Sequence, residues 1–417
     1  MVTAIGIDPG TKSMDIFGFD DETDEVIIDL AIPRVDVTKN PEIVLDAIRK
    51  IDKKIDIDVI VGPSGYGLPM VKASEASDAA INAATFITEA DAARRLNIVG
   101  LRELMFLMKN SYEDHDLNIW FPPGVIHLPT VPEYRKINRI DMGTADKVFT
   151  AVSAIKDQAE RYEINYASVS FIILEIGFGY TAALGVEGGK IVDGIGGTTG
   201  GLGYMGMGGI DGELAYALAN TVTDFSKMML FSGGAASISG IDTKKVSIEE
   251  FVNLARAKNP GQGQGLVKLA YSAMLESIIK DTYLMLSSVR KPREILLSGR
   301  FTRLKPFVQD VTAVLHNNLS ELGIASGIRI RTLRDTDGYG TVAVKVKEAA
   351  EGAGLIANGI AAGKYKDLID TMELRKSSGG VFSHIYLDEE IRDRITETFT
   401  NYSDSRFRGS RFKVTKC

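Results

Sequence analysis

The chain has 417 residues, of which 45% are hydrophobic and 25% charged, with a formal net charge of -7. That balance sets aside nucleic acid and anionic membrane as main partners, since both select a basic face. One cysteine, Cys417, excludes an internal disulfide or a cysteine-held metal and suits a reducing cytoplasm. No apolar run is long enough to cross a bilayer, and the N-terminus has no basic stretch followed by an apolar core, so a cytoplasmic location is expected.

At about 100–200 residues per domain the length implies two or three domains. Ala4 to Asp8 reads as a strand, Pro9-Gly10 as a turn, and Met14 to Phe19 as the returning strand of a hairpin. The turn carries unusual chemistry. Gly10 lets backbone N–H groups approach phosphate oxygens, Thr11 and Ser13 add hydroxyls, Lys12 adds charge, and Asp8 could hold a hydrated Mg2+. Val26 to Leu30 is a third strand, Asn40-Pro41 opens a helix through Ile51, and Asp58 to Gly62 is a buried strand, giving the order β-β-β-α-β. The loop Pro63 to Pro69 follows at a strand's carboxyl end, where open sheets bind ligands. Ser77 to Leu96 and Leu101 to Lys109 have helical spacing, and Trp120 to Pro132 reads as a proline-broken insert capping this half.

Next, Arg135, Lys136, Arg139, Asp141, Gly143, Thr144 and Asp146 precede a helix with Ala145, Val148, Phe149, Val152, Ile155 and Ala159 on one face. Thr144 is suited to cap it, or Gly143-Thr144 to present its end to a phosphate. Ser168 to Ile176 then repeats the opening layout of strand, acid and glycine turn, with Glu175, Gly177, Gly179, Tyr180 and Thr181. Such an echo is what a duplicated fold produces. The glycine-dense stretch Gly194 to Glu213 is entropically expensive to order, which points to a backbone curled round a ligand. A long helix, Leu266 to Val289, leads into the strand Glu294 to Gly299 and then Arg300; a helix of small residues spans Ala349 to Gly363.

These motifs, in this order, resemble the superfamily of acetate kinase, sugar kinases, actin and heat-shock chaperone ATPases. Asp8-x-Gly10-Thr11 is similar to its first phosphate motif, and Glu175 to Thr181 to its second, with glutamate where aspartate is usual. Ser298-Gly299 is similar to its adenosine motif, usually Gly-Gly, and Ala349 to Gly363 to its second connecting helix, whose small residues let two helices cross closely.

The resemblance implies an α/β, two-lobed, duplicated ribonuclease-H-like (actin-like ATPase) fold: mixed five-stranded sheets flanked by helices, with nucleotide in the interlobe cleft. The lobes would span 1–165 and 166–372, with an extension at 373–417. ATP would contact Gly10, Thr11, Lys12, Ser13, Gly177, Gly179, Tyr180, Thr181, Gly197, Thr198, Gly299 and Arg300, with Mg2+ at Asp8 and Glu175. Within the superfamily the chain is similar to an archaeal family labelled predicted butyrate kinase, which implies transfer to a short-chain carboxylate. A carboxylate needs no base, and Arg135, Lys136 or Arg139 would hold it; a hydroxyl acceptor would need Asp141 or Asp146 as base. The alternatives are a sugar or polyol kinase and an ATP-driven regulatory or assembly protein. The partner expected is a small-molecule acceptor, with neither nucleic acid nor membrane, and a homodimer is left open. The lack of clustered cysteines and of paired histidines disfavours the iron–sulfur and tRNA-modifying branches. The basic, aromatic Arg406 to Lys413 reads as an edge strand or tail.

Overall fold

The computed structural model describes residues 1–93, 99–115, 117–223, 225–257, 265–324, 327–334 and 343–401. The stretch Arg406 to Lys413 lies outside them. Short apolar runs, buried on both faces in the central strands, set up two sheets. The first comprises β1 (Thr3–Pro9), β2 (Ser13–Asp20), β3 (Val26–Pro33), β4 (Val59–Val61), β5 (Val71–Lys72) and β6 (Ile119–Phe121), in the order β3-β2-β1-β4-β6-β5. The second comprises β7 (Ser170–Ile176), β8 (Thr181–Glu187), β9 (Lys190–Ile195), β10 (Glu294–Ser298) and β11 (Arg329–Thr332), in the order β9-β8-β7-β10-β11. Each is an antiparallel three-strand meander whose first strand also pairs in parallel with a later one. The two sheets thus share one connectivity.

The first sheet has six strands, because β5 adds antiparallel to β6 at its edge. Trp120-Phe121 is therefore part of the sheet and not of a capping insert: Val61 pairs with Trp120 in parallel. Three residues are too few to declare a strand by periodicity; pairing with β4 makes it one.

Period-2 alternation assigns the faces. In β7, Ile172, Leu174 and Ile176 enter an outer core with the long helix Gly265–Leu286, while Phe171 and Ile173 enter a central core shared between the sheets. In β1, Ala4 faces that central core, and Ile5 and Ile7 face the helices outside the first sheet. The central core is filled by the helices Ala145–Tyr162 and Glu348–Ile360. The latter packs against β1, and a Cβ on Gly6 would overlap the backbone at Gly354. A Cβ on Gly352 would overlap the carbonyl oxygen of Phe149, so the two helices cross at backbone contact. Small residues are what this crossing demands.

The segment beyond Glu373 returns to the first sheet's side of the molecule. Phe382 and Ile385 pack with Ala83, Tyr66 and Phe86, and the helix Glu389–Thr400 stacks Phe399 on Phe86 with centroids 4.0 Å apart. Among the described residues no helix is long and apolar enough to cross a membrane.

Candidate active site

The two glycine turns meet. The β1–β2 turn and the β7–β8 turn face each other, such that a Cβ on Gly179 would stand 3.4 Å from Thr11 Oγ1. Lys12 lays its ammonium over the Phe178 ring, 4.1 Å from the centroid. Beneath the turns lies a cluster of acids and lysines. Asp8, at the end of β1, is fully buried and sits opposite Asp15 in the hairpin register. Lys347, at the start of the helix Glu348–Ile360, donates to Asp8 Oδ2 from its ammonium and to Asp15 Oδ2 from its backbone, the latter at 3.2 Å. Burial pushes the Asp8 carboxyl up to about 7 despite that lysine, with Asp146 and Asp15 adding to the rise. Burial alone would lower the Lys347 ammonium, but Asp8, Asp15 and Glu175 around it raise it.

Across the cleft, Lys147 bridges Asp146 Oδ2 at 2.5 Å and Glu175 Oε1 at 2.9 Å, and the two acids hold it firmly protonated. Thr150 donates to the other Glu175 oxygen at 3.0 Å. The Thr144 hydroxyl donates to Asp146 instead of capping its helix. Lys147 and Thr144, with the buried environment countered by them, hold the Asp146 carboxyl below its ordinary range.

Asp8, Asp146 and Glu175 thus share one cluster with the turn residues Gly10 to Ser13 and Gly177 to Thr181. Arg139 is exposed, and among the described residues no side-chain hydrogen bond or ion pair ties it to that cluster. Its neighbours are also committed elsewhere: Arg135 donates to Val192 O and pairs with Asp193, and the buried Lys136 donates to Leu128 O. Asp141 is a structural anchor, since Gly143 N reaches one oxygen at 3.2 Å while the backbone and hydroxyl of Thr198 reach the other at 3.0 and 2.8 Å. The basic and acidic residues of this stretch therefore do not converge on one point.

The glycine-dense stretch wraps a side chain of the protein itself. A Cβ on Gly197 or Gly206 would overlap Tyr180, whose ring lies 4.9 Å from that of Phe231. The long helix pins the same stretch: Gly201 N donates to Asp281 at 3.0 Å and Leu202 N to Ser277 Oγ at 3.0 Å. Burial pushes Asp281 up to about 6 against the Gly201 bond. Packing against Tyr180 requires glycine at Gly197 and Gly206, as packing against Asp141 does at Gly196 and against Ser277 at Gly201. Gly299 is likewise claimed by the chain: its φ is +94° and a Cβ would stand 2.5 Å from Ile176 O. Arg300 is half-buried, its charge opposed by burial and by Arg303 and supported by Asp15.

Sequence reasoning missed Lys347, Asp15 and Lys147 as members of this cluster. Asp15 was within reach, because the hairpin register alone places it opposite Asp8. Lys347 lies 339 residues from Asp8, and no local pattern announces it.

Two turns of one kind, on two sheets of one connectivity with a shared helical core, define the duplicated actin-like ATPase fold. Solved structures of that fold superpose over nearly their whole length. A propionate kinase from Francisella tularensis subsp. tularensis SCHU S4 has a TM-score of 0.54 at 14% identity, over 84% of this chain and 99% of that one. Acetate kinase from Entamoeba histolytica has a TM-score of 0.53 at 11% identity over 77% and 87%, and that of Porphyromonas gingivalis 0.52 at 13% over 85% and 98%. Among curated proteins none matches. The chain belongs to the family described as "Protein of unknown function (DUF1464)", whose model matches residues 6–387.

Proposed function

We propose that the protein is an ATP-dependent phosphotransferase whose acceptor is a small carboxylate. The observation that carries this reading is the meeting of the two glycine turns over one buried cluster of acids and lysines. Phosphoryl transfer asks a protein for positioning and charge more than for covalent chemistry, and this cluster offers both. The backbones of Gly10 to Ser13 and Gly177 to Tyr180 would line the phosphates, with Lys12, Lys147 and Lys347 offsetting their charge. Adenosine would lie toward Gly299 and Arg300.

Asp8 and Asp15 fit Mg2+, because each carries a buried carboxylate oxygen with no hydrogen-bond partner among the described residues. Glu175 fits less well, both its oxygens being occupied by Lys147 and Thr150. Among the described residues no three His, Cys, Asp or Glu side chains are placed to hold a metal ion together, so the cation would keep most of its water and contact phosphate. When bound, Mg2+ supplies positive charge to the transferring phosphoryl oxygens.

A carboxylate acceptor is favoured because the acids best placed by sequence to act as bases are engaged, Asp141 by Thr198 and Asp146 by Lys147. The similar solved structures named for acetate and propionate kinases support the same acceptor class. One observation favours a hydroxyl acceptor: Asp8, pushed to about 7 and with a free oxygen, has the properties of a general base. The test is the purified protein with Mg2+-ATP and a panel of acetate, propionate, butyrate, sugars and polyols, reading ADP release and trapping acyl phosphate with hydroxylamine. Hydroxamate with a carboxylate is expected. ADP release with a sugar or polyol and no hydroxamate would transfer the reading to Asp8 as base, and no acceptor-stimulated ADP release at all would overturn it.

A further inference from the structure

Resting on the phosphotransferase reading, a carboxylate acceptor or a terminal phosphoryl group calls for an arginine fork, and among the described residues no hydrogen bond or ion pair ties the exposed Arg139 to the cluster. We propose that Arg34 does: it is the anchor of an oxyanion at the acceptor side of the site.

Four strands of the first sheet, β1, β3, β4 and β6, run in one direction, β3 through its antiparallel pairing with β2. Their carboxyl ends therefore share an edge, which brings together Asp8, Arg34, the Pro63–Pro69 loop and Pro122. That edge is where open sheets receive ligands. Arg34 follows β3 directly, and its backbone N–H donates to Lys12 O at 2.9 Å, so it stands at the foot of the first phosphate turn. Its residue surface is 9% exposed, and its Nη1 is buried with no hydrogen-bond partner. No ion pair compensates the guanidinium among the described residues. Asp8 is near enough to favour its charge, yet Asp8 Oδ1 is itself without a partner, so the two are not bonded. Burial lowers the guanidinium only to about 10, which leaves it protonated at neutral pH.

A buried, charged, unpaired guanidinium destabilises the folded chain. A second oxyanion would satisfy it in the bidentate fork that arginine offers and lysine does not. Two sources present that chemistry, the acceptor carboxylate and the terminal phosphoryl of ATP, and they are separable by measurement.

The test compares wild type, Arg34→Met and Arg34→Lys by thermal melting without ligand and by calorimetry with ATP, ADP and, in the presence of ADP and Mg2+, acetate and butyrate. Without ligand, R34M is expected to melt at or above the wild-type temperature, because an unpaired buried charge has been removed. If Arg34 holds the acceptor, R34M weakens carboxylate binding about 10- to 100-fold and leaves ATP and ADP unchanged; if it holds the terminal phosphoryl, R34M weakens ATP by that factor and not ADP. Either supports the proposal, with R34K intermediate. Affinities within twofold of wild type for every ligand overturn it, as does a lowered melting temperature in R34M with binding lost in proportion and both restored in R34K. A wild type that binds neither nucleotide nor carboxylate overturns the phosphotransferase reading itself, and the proposal with it.

Discussion

Asp8→Asn should separate stability from ligand binding, and in opposite directions. The Asp8 carboxyl rises from 3.8 in the unfolded chain to about 7 in the folded one. Between those values the folded protein holds a proton that the unfolded chain has released. Stability contributed by this group is therefore greatest below pH 4 and is lost as pH rises through 7. At about 1.36 kcal/mol for each tenfold change in proton affinity, the loss reaches at most about 4 kcal/mol by pH 8. Asparagine does not titrate, so the stability of the variant relative to wild type should climb by up to that amount between pH 4 and pH 8. Lys347 keeps Asp15 and Glu175 nearby when Asp8 is neutralised, which limits the offsetting cost. Urea unfolding of both proteins at each pH gives the difference directly, and groups common to both cancel from it. Over the same range, Mg2+-dependent ATP affinity should fall in the variant, because one of the two unpartnered carboxylate oxygens is gone. Parallel stability curves would refute the burial argument, and unchanged Mg2+-ATP affinity in a folded variant would remove Asp8 from the site.

Further expectations concern packing and the exposed basic stretch. Gly352→Val should force the helices Ala145–Tyr162 and Glu348–Ile360 apart at Phe149 O and lower stability by about 3 kcal/mol or more, read by denaturant midpoint. Gly206→Ala should destabilise through Tyr180, and pairing it with Tyr180→Ala should recover part of the loss; a fully stable G206A with impaired nucleotide binding would return the glycine stretch to a ligand. Arg331→Met removes the guanidinium shared by the buried Asp157 and Glu294 at the second sheet's edge, leaving Asp157 with Arg161 and Glu294 with Gln158 and Tyr162, and should cost about 3 kcal/mol in unfolding free energy. Arg139→Ala should leave turnover within about twofold of wild type, as befits an exposed surface side chain.

What the sequence determined by itself lies within short reach along the chain. The hairpin at Asp8, its repetition at Glu175, the short apolar strands, and the small-residue helix at Ala349 to Gly363 all follow from turn chemistry and periodicity. These act over a few to some twenty residues, and they sufficed to place the fold. The tertiary structure alone decided how the charges are matched. Asp8 meets Lys347 only because the helix Glu348–Ile360 returns to β1, and Arg34 becomes a buried cation without an ion pair among the described residues only because β3 ends beside the first turn. It also decided which side chains the glycines near Tyr180 pack against, and that Arg135 and Lys136 bond to Val192 O, Asp193 and Leu128 O. A residue's type declares which charge or shape it can offer; whether that offer is taken by water, backbone, a partner 339 residues away or a bound molecule depends on which segments the packed core brings together.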